Sequence, residues 1–278
     1  MINIPYRAAV YLGRRNRFRF AESVSTLPPV TTAGRLPARV YSLSCENDWP
    51  EQAASIRSFL RFVGTPDQFI VVSDGHKEES RRRLERLSPC VSVISLNSLL
   101  RPDLPVRVRE YAAQHFLGRK LAMLLSIPVD GPTIYTDSDI LFFPGGQALA
   151  RLVQDSLLAP RYLLDCWPSL DSRLLAGEHE KELPTNAGFL VLGHPLDWSD
   201  ALCRLQRMQG DSAFFTEQTV VHIAMRASQG VPLAADRFIL RAEDQFHFSD
   251  RYAHNDIALR HYISSIRNKF WRHRDLFS

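Results

Sequence analysis

The sequence predicts an α/β fold with a largely parallel central sheet, and three observations carry that prediction. From Ala38 onward, short β-rich runs alternate with amphipathic helical runs, the pattern of strands joined by crossover helices. Two carboxylates, Asp137 and Asp139, follow directly on an apolar run, and the carboxyl ends of strands are where open α/β sheets bind ligands. The composition is that of a folded domain: 278 residues, 45% hydrophobic and 23% charged, which excludes disordered, collagen-like and coiled-coil chains.

Residues 1–37 read as a basic N-terminal extension and linker, because Leu27-Pro28-Pro29 and Ala33-Gly34-Arg35-Leu36-Pro37 interrupt regular structure. The domain is expected over 38–278. Its first strand covers Arg39–Leu43. A helix follows from about Trp49, with Asp48 and Glu51 as a capping pair and an inward face of Ala53, Ile56, Leu60 and Val63. Strands at 69–72, 91–94 and 133–136 alternate with a charged helix at 77–87 and one long helix at 106–126. The second half is less regular, with strands at 162–164 and 189–192 and helices near 197–209 and 216–228.

Charge is unevenly placed. Arg7, Arg14, Arg15, Arg17 and Arg19 lie in the first twenty residues without an acid, which leaves 29 basic against 30 acidic residues in the rest. A nucleic-acid partner is therefore not expected, since a phosphate-tracking surface needs a basic stripe on the folded body. The basic start, with Phe18 and Phe20 among its arginines, suits peripheral contact with anionic lipid or a solvated tail. No apolar leader or membrane span is visible, and the four cysteines form no CxxC pair. A cytoplasmic protein, peripheral to the inner face of the membrane, is the expectation.

Tyr135-Thr136-Asp137-Ser138-Asp139 carries the sharpest chemistry. Two carboxylates one residue apart can share a hard cation, Mn²⁺ or Mg²⁺, that keeps positions open for phosphate oxygens. Alone, the same segment also suits a strand-terminal turn in which the aspartates cap backbone groups. Asn186-Ala187-Gly188 offers an amide that both donates and accepts and a glycine that permits close backbone approach. Glu217-Gln218 fits a helix N-terminus with Thr216 as its cap. Asp165 stands between another apolar run and Cys166-Trp167-Pro168, a further carboxylate at a strand end.

Taken as an ordered set, these segments resemble the GT-A-fold glycosyltransferases, and most closely a divergent member of family 8, the glycogenin and lipopolysaccharide galactosyltransferase group. The set comprises the Asp137–Asp139 DxD segment, the Asn186–Gly188 strand, Glu217-Gln218 in place of an Asp-Gln pair, and Lys120, 17 positions ahead of Asp137. It closes with His261-Tyr262 before Lys269-Phe270-Trp271, similar to an HxxGxxKPW ending, although Ser264 stands where that ending has glycine and Arg267 where it has lysine. The resemblance covers residues 38–273.

It implies a Rossmann-like GT-A domain, a metal held by Asp137, Asp139 and His261, and catalytic roles for Gln218 and Glu217. Donor contacts would come from Ser44, Lys120, Asp137, Ser138, Asp165, Asn186, Gly188, Arg267 and Lys269. The implied reaction moves a sugar from a nucleotide-diphosphate donor, a UDP-sugar by the resemblance, to a glycan, lipid or protein acceptor with retention. The tail from His261 to Trp271 is expected to close over the nucleotide. Two other readings share the residues: a sugar nucleotidyltransferase, which would carry a Gly-rich basic loop absent after the first strand, and a non-catalytic nucleotide-sugar-binding protein.

Overall fold

The computed structural model describes residues 4–155 and 159–277. The strands are β1 (Arg35–Cys45), β2 (Thr65–Asp74), β3 (Val91–Ser95), β4 (Thr133–Thr136), β5 (Ile140–Phe142), β6 (Arg161–Leu164), β7 (Thr185–Leu192), β8 (Val231–Pro232), β9 (Phe238–Ile239) and β10 (Leu259–His261). The helices are α1 (Ile4–Ser23), α2 (Trp49–Phe62), α3 (Glu78–Glu85), α4 (Leu96–Leu99), α5 (Val106–Gln114), α6 (Phe116–Leu124), α7 (Leu149–Asp155), α8 (Ser199–Arg207), α9 (Thr216–Ala227) and α10 (Arg267–Phe270).

Seven strands form the main sheet in the order β3-β2-β1-β4-β7-β6-β8. The first four run parallel, and β7 is antiparallel to both β4 and β6. Alternation along the strands divides the interior into two layers, as a period-two side-chain pattern must. Val40, Phe69, Val71, Ile134 and Phe189 face α2 and the C-terminal segment. Their neighbours Tyr41, Ile70, Val72, Tyr135 and Leu190 face α5, α6, α8 and α9. All of these side chains are buried.

A second, three-stranded sheet, β5-β10-β9, lies beside the first. None of its strands is expected from the sequence, because runs of two or three residues are too short to show a period. It fixes the site: β10 runs antiparallel to β5 with His261 opposite Ile140, and the Tyr262 amide donates to the Asp139 carbonyl at 2.9 Å.

The single long helix expected over 106–126 is two helices. His115 is extended (φ −142°, ψ 142°), and its ring nitrogen accepts from the Leu117 amide at 3.1 Å, capping α6. The two axes approach closely at Gly118, where a Cβ would lie 2.3 Å from the Tyr111 carbonyl oxygen. The break turns α6 so that Lys120 points at the end of β4. The capping pair expected at α2 is also replaced. The helix starts at Trp49, but Asp48 makes no cap bond, and Glu51 accepts from Arg17 Nε at 2.6 Å and from Trp271 Nε1 at 3.0 Å.

Residues 1–37 are not a linker where the structure describes them. β1 begins at Arg35, paired with Thr65, so the expected boundary at 37/38 falls inside a strand. α1 buries Ala9, Phe20 and, just past its end, Val24. Phe20 packs on Trp271 and Phe277, with ring centroids 5.4 and 5.0 Å away, and Asn16 Nδ2 donates to the Trp271 carbonyl at 2.9 Å. Phe18 and Phe20, taken together in the sequence, part company: Phe18 is exposed and Phe20 is buried.

Truncating a fully buried aromatic leaves a cavity and costs about 3–5 kcal/mol. Phe20→Ala is expected to lower the unfolding free energy by that amount without changing the far-UV circular dichroism of the folded protein. Equilibrium denaturation checks this, and a change below about 1 kcal/mol would return the segment to the status of an appendage.

Candidate active site

The parallel strands end at a cavity of about 1100 Å³, lined by residues that include Ser44, Asp74, Lys120, Asp165 and Gln218. Thr133–Thr136 is buried on both faces, so the apolar strand β4 ends abruptly where Asp137 and Asp139 turn toward the cavity. The Asp137 amide donates to the Gly188 carbonyl at 2.8 Å, tying the turn to β7.

His261 arrives from 120 residues away by the β5–β10 pairing. Its Nε2 lies 3.1 Å from Asp139 Oδ1 and 3.7 Å from Asp137 Oδ2. One ligand atom from each of the three residues falls within 4.8 Å of the others. That spacing and the two-oxygen, one-imidazole donor set fit an octahedral Mn²⁺ or Mg²⁺ with positions left for phosphate oxygens. Asp139, His261, Gly188 and Asn186 form one packed unit. A Cβ at Gly188 would sit 2.4 Å from the His261 ring, so only glycine lets the imidazole lie against β7.

Both carboxylates have cationic partners. Lys120 Nζ donates to Asp137 Oδ2 at 3.0 Å, and Tyr135 donates its hydroxyl to Asp137 Oδ1 at 2.6 Å. Arg267 Nη2 donates to Asp139 Oδ2 at 2.5 Å, and its Nη1 reaches Asp48 at 3.4 Å. Burial pushes the Asp139 carboxyl up, but the charges of His261 and Arg267 outweigh it and hold the group well below the usual carboxylate range. Lys120 behaves in mirror image. Burial lowers it, and Asp137 with Glu217 more than restores the ammonium.

A hydrogen-bond chain leads from the histidine across the cavity floor. His261 Nδ1 lies 3.1 Å from Asn186 Oδ1, which also accepts from the Gly188 amide at 3.0 Å. Because a backbone N–H can only donate, the Asn186 oxygen faces Gly188 and its Nδ2 faces Gln218 Oε1, at 3.2 Å. Gln218 Nε2 then donates to Asp165 Oδ2 at 2.7 Å and to the Ser169 carbonyl at 2.9 Å. With the Asn186 oxygen as acceptor, Nδ1 of His261 is the donor of that bond and Nε2 is the nitrogen turned to the carboxylates.

Lys120, Asp137, Ser138, Asp139, Asp165, Asn186, Gly188, Glu217, Gln218, His261, Ser44 and Arg267 thus all line one cavity. Lys269 does not. It is fully buried, donating to the His247 and Ser249 carbonyls at 2.9 and 2.6 Å, and lies 3.3 Å from Asp244. It neutralises a buried acid, and Arg267 on the same short helix is the cation that reaches the cavity. Thr216 does not cap α9 either. It is the first helical residue, and its hydroxyl donates to Asp171 at 2.7 Å. The tail expected to close over the nucleotide is packed in this state, with Phe270 and Trp271 buried against the core.

Other features escaped the sequence reading. Tyr135 is masked by its place in an apolar strand. Arg119 pairs with Asp74 at 2.7 Å, and His76 bridges Ser44 and Ser73 at 3.3 and 3.0 Å. The aromatic rim of Phe116, Trp167, Phe214 and Phe215 comes from three separate segments. No spacing in the chain links them.

Glu217 is buried, its Oε1 3.7 Å from Lys120 Nζ and without a hydrogen bond among the described residues. Burial pushes its carboxyl up to about 7, against the opposing pull of Lys120 and with reinforcement from Asp137. A carboxyl raised on folding stabilises fully below its unfolded value, near 4.5, and loses that contribution as pH rises through 7. In metal-free protein, Glu217→Gln is therefore expected to raise the melting temperature at pH 8 relative to wild type, with little gain at pH 5. Thermal melts across that range check the sign.

No family model matches the chain, and no curated protein matches it by sequence. Solved structures do match by fold. Galactosyltransferase LgtC, crystallised with donor and acceptor sugar analogs, superposes with a TM-score of 0.56 at 12% identity, over 86% of this chain and 94% of that one. Mouse xyloside xylosyltransferase 1 gives 0.55 at 14% identity, over 84% and 99%. Glycosyltransferase GlyE of Streptococcus pneumoniae gives 0.51 at 14% identity, over 86% and 60%. The superposition takes in nearly the whole length of LgtC, and the chain, with its mostly parallel central sheet flanked by helices, has the GT-A fold of these glycosyltransferases.

Proposed function

We propose that this protein is a metal-dependent glycosyltransferase that moves a sugar from a nucleotide-diphosphate donor, a UDP-sugar, to a glycan, lipid or protein acceptor, with retention at the anomeric carbon. The observation that carries the reading is the convergence of Asp137, Asp139 and His261 at the carboxyl end of β4, inside a cavity of nucleotide-sugar size. The fold shared with LgtC supports it.

Asp137, Asp139 and His261 would hold Mn²⁺ or Mg²⁺, which supplies charge neutralisation for a departing diphosphate. Lys120 and Arg267 hold positive charge on either side of that position, so a nucleoside diphosphate leaving group is stabilised without reorganisation. Ser44, near the end of β1, and Ser138 offer hydroxyls to the nucleotide half. On the sugar side, Asp165 accepts hydroxyl protons, and Asn186 and Gly188 supply an amide and a close backbone. Gln218, held by Asp165 and Asn186, presents its carboxamide oxygen to the reacting face, where it stabilises developing positive charge. Glu217 sets the position of Lys120. The Gly-rich basic loop of a nucleotidyltransferase has no counterpart after β1, where a short turn, Glu46–Asp48, follows instead.

Calorimetric titration of UDP with and without Mn²⁺ tests the reading. Wild type is expected to bind UDP in a Mn²⁺-dependent manner, and Asp139→Asn to lose that dependence and donor turnover while remaining folded. Mn²⁺-independent binding in wild type would remove the metal from the assignment. Asn186→Ala, which takes away the oxygen that orients His261, is expected to weaken Mn²⁺ binding by about 10–100-fold, as read by manganese electron paramagnetic resonance. A sugar phosphate with UTP serves as the opposing substrate pair, and pyrophosphate release from it would favour nucleotidyl transfer.

A further inference from the structure

α1 is docked by one face only. Ala9, Phe20 and Val24 face inward, and Gly13 lies against the Asn268 carbonyl so closely that a Cβ would come within 2.6 Å of it. Arg17 is drawn inward to Glu51 at 2.6 Å. The opposite face carries Ile4, Tyr11 and Phe18, which are 72, 66 and 63% exposed. These three recur every seventh residue, close to two turns of a 3.6-residue helix, so they form one ridge along its outer side.

Arginines border the ridge on both sides. Arg7 and Arg14 follow Ile4 and Tyr11 by three positions, and Arg15 and Arg19 lie on the other flank, four places past Tyr11 and one past Phe18. All four are exposed, and among the described residues none makes an ion pair or a side-chain hydrogen bond. Glu22 is the only acid on the helix. A docked helix with an apolar ridge between two rows of free guanidinium groups is built to lie in an interface, rings below the headgroups and cations at the phosphates. No helix among the described residues is long and apolar enough to cross a bilayer, so the contact is superficial.

We propose that the outer face of α1 binds the surface of an anionic lipid bilayer. Charge decides the occupant. A second copy seated on the ridge would oppose arginine with arginine, whereas anionic headgroups complement both rows. A nucleic acid would match the charge but would leave the three apolar side chains without a partner. The surface is tied to the cavity: Arg17 also donates to the carbonyl of Asn47, a cavity-lining residue, and α1 packs on the C-terminal segment that begins with Arg267. The proposal does not depend on the transferase reading.

Co-sedimentation of the full chain with extruded vesicles tests it, using phosphatidylcholine alone or with 30% phosphatidylglycerol. Wild type is expected to partition at least tenfold more strongly to the anionic vesicles, with the preference falling steeply between 50 and 500 mM salt. Arg14→Ser/Arg15→Ser should weaken partition about 30-fold, which is ~1 kcal/mol per basic residue. Tyr11→Ser/Phe18→Ser should weaken it at least tenfold at constant charge. Both variants alter exposed side chains only and are expected to keep the wild-type melting temperature and UDP affinity, which separates failure here from failure of the transferase reading. Equal partition to both vesicle types would overturn the proposal. So would an unchanged Tyr11→Ser/Phe18→Ser variant, as expected for a non-specific polyanion site, or a vesicle-independent dimer in sedimentation velocity that the same variant disperses.

Discussion

Three residues of backbone pairing hold the candidate site together. Leu259–His261 lie antiparallel to Ile140–Phe142, in the register that puts His261 opposite Ile140. A slip of one residue would turn the imidazole to the other face and bring Arg260 to the carboxylates instead. Arg260 is therefore a measure of how strictly the register is kept. It is fully buried and paired with Asp244 at 2.8 Å and with Asp250, on the side of the strand away from the cavity. Burying that cation is tolerable only with both acids in place, so the ion cluster behind the strand holds the histidine in front of it.

Electrostatics at the cavity follows from the same arrangement. Asp137 and Asp139 leave a strand whose four residues are buried, so each carboxylate must find compensation within reach. Lys120 and Tyr135 serve the first, Arg267 and His261 the second. Lys120 and Arg267 balance the two acids one for one, so both cations are held at the strand end before any ligand arrives, and the further positive charge that a diphosphate calls for would come from a metal.

Much of this was legible in the chain because it is local. Each strand and helix of the alternation, the start of α2 at Trp49 and the exit of Asp137 and Asp139 from an apolar run can be read within a short stretch of sequence. Asn186 and Gln218 were legible only as members of an ordered set, since nothing in either segment says that one amide bonds the other across 32 positions. What stayed hidden depends on distant partners. Lys269 and Arg267 are two residues apart on one short helix and look equivalent in sequence, yet Asp244 captures the first and Asp139 the second. The split of 106–126 at His115 was equally hidden, because its cause is the close crossing at Gly118 and not a helix breaker. Residues 1–37 misled for the converse reason: their prolines and charges suggest a linker, and only Trp271 and Phe277 show what Phe20 is for.

That last contact closes the chain upon itself, and it bears on how the protein is made. α1 leaves the ribosome well before Trp271 and Phe277, the aromatic residues it packs against. Until those residues emerge, Phe20 has no cluster to join, Glu51 lacks the Trp271 indole, and β5 has no β10 beside it. The parallel strands can collapse earlier, but loop closure between α1 and Trp271 adds the entropic delay of a contact spanning 255 residues. The half-made chain thus exposes the Ile140–Phe142 edge and an unpaired amphipathic helix at once, so nascent-chain chaperones have most to shield in the interval before β10, Trp271 and Phe277 are synthesised.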